Sequence, residues 1–261
     1  MRALSIGATG MLAQQLNVEV ISNNIANMNT TGFKRGRAEF QDLLYQDMRR
    51  VGAASSDAGT IVPSGVQIGL GVKPAAIYRI GEQGNIDVTD NSLDLAINGN
   101  GFFQVELPDG STAYSRAGSF QLSPNGDLVT ADGYTVMPGI TIPIDAVGIT
   151  INVNGEVYVD QDGQVDATNV GQLELAVFAN QAGLEAAGDN LFLETAASGA
   201  ATSATPGTPG FGSLIQGALE TSNVNVVTEM SNLISAQRAY EMNSKVIQAA
   251  DEMMRNTSQL R

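Results

Sequence analysis

At 261 residues the chain is longer than a single core grows comfortably, and its 43% hydrophobic content is enough to fill two compact units. Cys, His and Trp are absent, which excludes a disulfide framework, thiolate chemistry, and the commonest metal ligand and near-neutral proton shuttle. The net charge of −14 is unevenly spread: between Gly81 and Gln237 a single basic residue, Arg116, faces 19 acidic ones, so that stretch repels phosphate and no nucleic-acid partner is expected.

The first predicted element is a helix from about Leu4 to Met28. Leu4, Gly7, Met11, Val18, Ile21, Ile25 and Met28 recur at steps built from three and four, with Gln14 in a skipped place. Such spacing lays one narrow stripe along a helix, the width of a coiled-coil contact. The run Asn27-Met28-Asn29-Thr30-Thr31-Gly32 marks its end, and Lys34, Arg35 and Arg37 follow closely enough to complement a helix C-terminus. Asn23, Asn24 and Asn27 sit where the helix is ending. Their amides are expected to bond backbone groups across a turn or interface, or to cap locally.

Phe40, Leu43, Leu44 and Tyr45 form a short second apolar patch, which closes the N-terminal part, 1–45, of a helical domain. From 46 to 74 the pattern dissolves into an extended insert containing Arg49, Arg50, Gly52, Pro63 and Gly65, longer than most internal connections. The middle, 75–193, is punctuated by Asp109-Gly110, Asn125-Gly126, Asp132-Gly133, Asn154-Gly155 and Asp162-Gly163 between short alternating runs. Type I′ hairpins and an antiparallel β domain are expected there. Residues 194–213, rich in Ala, Ser, Thr, Gly and Pro, read as a linker or long surface loop.

The helical domain resumes over 214–261. Ser222, Asn223 and Asn225 suit an N-cap, and a helix is predicted to run to about Met254. Its stripe is Val226, Met230, Leu233, Tyr240, Ile247 and Met254, with Gln237, Ser244 and Asp251 in skipped places. Arg238 with Glu241 and Lys245 is an exposed pattern that could fix register between subunits. The fold class expected is α+β: long terminal helices paired in coiled-coil fashion, a central antiparallel all-β domain, and an extended linker segment.

Several other chemistries find no support. No run of about eighteen apolar residues is present to span a membrane. Gln14, Gln15 and Asn17 interrupt any signal-peptide core, so export, if it occurs, takes another route. No cofactor or metal motif stands out: Gly69-Leu70-Gly71 and Gly99-Asn100-Gly101 lack a dinucleotide loop's third glycine, and Asp160-Gln161-Asp162-Gly163 lacks a calcium loop's closing Glu. Ser115 and Ser119 have no His to activate them, and no carboxylate pair is singled out for a glycosidase, so no enzyme is expected.

Asn23-Asn24-Ile25-Ala26-Asn27 with Thr31-Gly32-Phe33-Lys34-Arg35 resembles the N-terminal signature of the bacterial flagellar axial family of rod and hook proteins. Ser222-Asn223-Val224-Asn225-Val226 and Gln237-Arg238-Ala239-Tyr240-Glu241-Met242-Asn243-Ser244-Lys245 resemble its C-terminal signature. Gly99-Asn100-Gly101-Phe102-Phe103 and Tyr114-Ser115-Arg116-Ala117-Gly118-Ser119-Phe120 resemble its β domain. Within the family, the insert from Tyr45 through Arg49 to Pro63-Ser64-Gly65 and on to Val72 is most similar to the distal-rod members.

This resemblance implies a structural subunit of the basal body, in the rod that crosses the periplasm toward the outer membrane, exported without a cleavable signal. It implies a rigid hollow helical polymer of the chain itself, carrying torque from motor to hook and passing exported subunits. The implied partners are proximal rod proteins, hook protein, P and L ring proteins, the flagellar type III export apparatus and a rod cap. Leu4, Met11, Val18, Ile21 and Ile25 would bury against Val226, Met230, Leu233, Tyr240 and Ile247 and against neighbouring subunits, while the insert would stiffen the tube. The alternatives are a proximal rod or hook protein, or a soluble β-domain binding module or adhesin whose helices close a dimer.

Overall fold

The computed structural model describes residues 2–49, 64–162 and 166–259. The chain divides into two units: unit 1 takes Met1–Ile25, Gly36–Tyr78 and Val226–Arg261, and unit 2 takes Ala26–Arg35 and Arg79–Asn225.

Unit 1 is built on two long helices, α1 (Arg2–Ala26) and α2 (Val226–Gln259), with strands β1 (Gly36–Asp42), β2 (Tyr45–Arg49), β3 (Val66–Gly69) and β4 (Val72–Arg79). The expectation of a helical 1–45 therefore narrows. From Gly36 to Phe40 burial alternates, with Ala38 and Phe40 turned inward and Arg37 and Glu39 outward, and that period of two makes a strand. β1 pairs with β4. β2 and β3 form an antiparallel ladder from Tyr45↔Gly69 to Arg49↔Val66, supported by the Gln67 amide donating to Asp47 Oδ1 at 2.7 Å. The ends of the insert are thus strands. Arg49 is exposed and Gly65 half-buried, whereas Arg50, Gly52 and Pro63 lie outside the described residues.

Unit 2 contains β5 (Ile86–Val88), β6 (Leu95–Asn98), β7 (Phe102–Glu106), β8 (Thr112–Ser115), β9 (Gln121–Leu122), β10 (Leu128–Val129) and β11 (Thr135–Val136). They are followed by β12 (Ala146–Ile151), β13 (Glu156–Gln161), β14 (Thr168–Gln172), β15 (Leu175–Val177), β16 (Glu185–Gly188), β17 (Leu191–Leu193), β18 (Thr202–Ala204), β19 (Ser213–Gln216) and β20 (Ala218–Glu220). Every described strand pair in this unit is antiparallel. β7 is the hub, pairing with β8 on one side and with β15 and β11 on the other.

Consecutive side chains of β7 point to opposite faces. Phe103 enters a core with Leu95, Ile97, Phe120, Leu128, Val136 and Leu175. Phe102 enters a second with Tyr114, Ala176, Phe178 and Leu184, where Phe102 and Tyr114 both meet the Phe178 ring edge-on.

Of the five anticipated turns, Asp162-Gly163 reaches outside the described residues, and the other four close hairpins whose type differs from expectation. The amides of Gly110, Gly126, Gly133 and Gly155 each donate to the carbonyl three residues back, and each glycine has φ between 81° and 89°. The residue before each glycine keeps negative φ. This is a type I turn followed by a left-handed glycine bulge, not type I′, which needs positive φ at both central residues. Pro108 and Pro124 occupy the position where type I turns favour proline.

Residues 194–213, expected as a linker, are threaded into unit 2. β18 pairs with β15, Ser198 is 1% exposed and exchanges hydrogen bonds with Thr195, and the Gly212 amide donates to Asn100 O at 2.7 Å. Short side chains here permit close backbone approach: a Cβ on Gly212 would lie 2.7 Å from Asn98 O.

Candidate assembly surface

Within unit 1 the two helices run antiparallel and meet at separate points. Gly7 faces Ile247, Gly10 faces Asn243, and Asn24 meets Glu229. The close approach is set by missing side chains: a Cβ on Gly7 would stand 2.9 Å from Ile247 Cγ1, and one on Gly10 2.8 Å from Asn243 Nδ2. Between these points Gln15, Val18 and Glu19 of α1 and Gln237, Tyr240 and Glu241 of α2 line an open groove.

Leu4, Met11, Val18 and Ile25 are half-buried and Ile21 is buried. On α2 the seam differs from the anticipated one. Its buried members are Glu229 (4% exposed), Ala236 (3%) and Ala250, with half-buried Val226, Leu233 and Ile247 beside them. Met230 (53%), Tyr240 (43%) and Met254 are exposed. The sequence stripe stepped four residues on from Val226, whereas the helix buries the residue three on, Glu229, whose carboxylate accepts from the buried Asn24 amide of α1. Val227, Met230, Ile234, Met242, Val246 and Met253 leave α2 with a broad exposed apolar surface away from that seam.

The asparagines separate by role. Asn24 is buried: its Nδ2 donates to Gly36 O at 2.9 Å and to Glu229 Oε2 at 3.2 Å, and its Oδ1 accepts from Gly36 N at 2.8 Å. One amide thus joins α1, β1 and α2. Asn27 acts locally, accepting from Thr30 Oγ1 at 3.1 Å, while Asn23 and Arg238 are exposed. Elsewhere on α1, Thr9 Oγ1 accepts from Val72 N at 3.4 Å, which ties the helix to β4.

In unit 2 the residues expected near helix ends do other work. Lys34 does not complement a helix terminus. It is buried, with Nζ donating to Glu220 Oε1 at 2.5 Å and Glu82 O at 2.8 Å. Arg116 Nε donates to Glu220 Oε2 at 2.5 Å, and its other nitrogens bond Ile97, Gly99 and Gly101 carbonyls. The Gly84 amide also donates to Glu220, at 2.9 Å.

Burial pulls the Lys34 ammonium below its ordinary pKa, partly offset by Glu220. For Glu220, burial pushes the carboxyl up, but the Arg116 charge and the Lys34, Gly84 and Arg116 donors outweigh it and hold the group below the ordinary carboxylate value. Asn223, anticipated as a cap, accepts from Arg35 N at 2.7 Å and donates to Ile80 and Glu82 carbonyls, both at 3.0 Å.

The pairing of Glu220 with Arg116 does not follow from the sequence analysis above. Two signals pointed to them: Arg116 is a solitary base in an acidic stretch, and Glu220 alternates with Ala218 in a short strand, which turns both inward.

Among the described residues no cluster of three or more metal-ligating side chains occurs, and no helix is long and apolar enough to cross a membrane. Family models described as "Flagella basal body rod protein", "Flagellar hook protein FlgE/F/G D1 domain" and "Flagellar basal body rod FlgEFG protein C-terminal" match residues 4–34, 96–167 and 215–260. The chain is 63% identical over 261 residues, all of both chains, to the flagellar basal-body rod protein FlgG of Caulobacter vibrioides. It is 56% identical to that of Agrobacterium fabrum, covering 97% of each chain. The flagellar hook-basal body complex protein FlhP of Bacillus subtilis is 30% identical over 97% of each chain. With both helices and the β unit matched in one order by such relatives, the chain belongs to the flagellar basal-body rod protein family and is a structural subunit of that rod, not an enzyme.

Proposed function

We propose that the chain polymerises with copies of itself into a rigid hollow shaft, the distal rod, through α1 and α2. The observation that carries this reading is the exposed surface of α2. Val227, Met230, Ile234, Met242, Val246 and Met253 are turned to solvent, on the side of α2 away from the residues that meet α1. A patch of this kind on a helix of 34 residues calls for a partner, and rod subunits are packed against one another. The α1–α2 pairing is read as coiled-coil-like, with a second helix face left for neighbours. Arg238 and Asn23 are exposed and the Tyr240 groove opens between the helices, and contacts between subunits at these places are read as setting register.

On this reading the hairpin of β2 and β3, with the insert residues Arg49 and Gly65, lies over adjacent subunits and stiffens the tube. The shaft carries torque toward the hook protein and joins proximal rod proteins below it. P and L ring proteins surround it, and the flagellar type III export apparatus and a rod cap deliver and place its subunits. A proximal rod or hook assignment is less favoured by the two FlgG relatives. Negative-stain electron microscopy of the concentrated protein tests the proposal: straight tubes are expected, curved tubes would point to hook, and soluble dimers would sink self-polymerisation.

A further inference from the structure

Residues 213–223 come late in the chain and fill places that the rest of unit 2 leaves open. β19 lies along β6 from Ser213↔Asn98 to Gln216↔Leu95, and β20 lies along β5. Leu214 is a member of the main core. Gln216 makes three bonds to two other segments: Nε2 donates to Ser92 O at 2.7 Å and to Ile149 O of β12 at 2.9 Å, and Oε1 accepts from Ile151 N of β12 at 2.9 Å. Glu220 brings the carboxylate that Lys34 and Arg116 both touch, across 186 and 104 positions of sequence.

Two cations and one anion share this buried site. With the carboxylate missing, Lys34 and Arg116 would be buried with carbonyl oxygens around them but no counter-charge. Desolvation of an uncompensated cation opposes burial strongly, and here there would be two. β6 would meanwhile lack its partner β19, and the core would lack Leu214.

We propose that residues 213–223 are a closing strap: unit 2 packs its core only when this segment docks, and Glu220 is the residue that permits it by neutralising Lys34 and Arg116. The order of closure then follows the order of the chain. Lys34 and Arg116 are present early in any N-to-C appearance of the polypeptide, yet they stay solvated until residue 220 arrives. For a subunit delivered end-first to a growing polymer, unit 2 would stay open until most of its length is in place and would then close in one step. That use rests on the reading above, but the closing order is a property of the free chain.

Pulse-labelling hydrogen exchange during refolding of the full-length protein tests it. Amides of β7 and β8 are expected to gain protection in the same kinetic phase as those of β19 and β20, with rate constants within about two-fold. Glu220→Gln is expected to slow that phase at least ten-fold, and adding Lys34→Met to recover at least three-fold of it. Protection of β7 and β8 ten-fold or more ahead of β19 and β20 would overturn the strap, as would an unchanged rate in Glu220→Gln or no recovery in the double variant. If Glu220→Gln does not refold, the wild-type phases alone decide. An early β7–β8 phase leaves self-polymerisation standing, and absence of tubes at high concentration leaves the strap standing.

Discussion

The Lys34 ammonium and the Glu220 carboxylate, 186 positions apart in sequence, meet at 2.5 Å, both buried. The contact ties the chain just after the first helix to the strand just before the last one, inside the β unit. Removing one partner of a buried pair leaves the other charge uncompensated, so Glu220→Gln is expected to destabilise unit 2 by about 3–5 kcal/mol. Thermal melting followed by near-UV circular dichroism checks this, and a loss below about 1 kcal/mol, the value typical of an exposed pair, would contradict it.

The same carboxyl gives unit 2 an acid limb. Its pKa is lower in the folded chain than the ordinary value of 4.5, so as pH falls below 4.5 the unfolded chain takes up the proton first. The stability Glu220 contributes is full above that value and declines as pH falls toward the folded pKa. Melting curves between about pH 3 and 6 are expected to show a flatter acid dependence in Glu220→Gln than in the wild type.

Asn24 is expected to be the most sensitive polar residue of unit 1. Asn24→Ala strands the Gly36 amide and carbonyl and part of Glu229. A loss of about 2–4 kcal/mol follows from leaving buried polar groups unpaired. A double-mutant cycle with Glu229→Ala should return a coupling above about 0.5 kcal/mol, and strict additivity would mean the two do not communicate.

Gly7 and Gly10 look alike in sequence but differ in what they face. A Cβ at Gly10 meets the end of the flexible Asn243 amide, which can swing away, whereas one at Gly7 meets Ile247 Cγ1, nearer its backbone. Gly7→Val is expected to cost about 1–3 kcal/mol by overpacking, and Gly10→Ala to be near neutral because alanine's helix propensity offsets the contact. Helix melting followed at 222 nm separates the two, and pairing Gly7→Val with Ile247→Ala should restore most of the loss.

Much of this was legible in the sequence because the cues are local. Repeating steps of three and four announced both helices, and Gly preceded by Asp or Asn announced four hairpins that the structure closes. What escaped depends on which partner is near. The α2 seam takes Glu229 rather than Met230 because the buried Asn24 amide of α1 donates to it, a polar pairing that a hydrophobicity pattern does not register. The segment 194–213 looked like a linker because its short polar residues carry no period, yet its order comes from β15 and from Asn100, far away in sequence. Glu220 with Lys34 and Arg116 is a three-way meeting of distant residues, marked in the sequence by Arg116 standing alone in acidic surroundings and by Glu220 alternating with Ala218, neither of which names the partners.

Gly118 and Gly110 give a test inside unit 2. Gly118 lies outside the left-handed region, but a Cβ there would sit 1.7 Å from Leu95 O, whereas Gly110 has open space and φ of 81°. Gly118→Ala is expected to abolish packing of the β6 region, because a backbone carbonyl cannot step aside. Gly110→Ala should cost only about 1–2 kcal/mol, the strain of a left-handed alanine. Chemical denaturation of both variants checks the order, and equal losses would contradict it.

Self-polymerisation through the exposed face of α2 is tested most directly by electron microscopy of the concentrated protein beside Ile234→Asp, which places a charge on that face and leaves the α1 seam untouched. Straight, rigid tubes from the wild type and none from Ile234→Asp, with the variant's monomer melting unchanged, are the expected result. Tubes formed equally well by Ile234→Asp, or a wild type that stays monomeric or dimeric at every concentration, would contradict it.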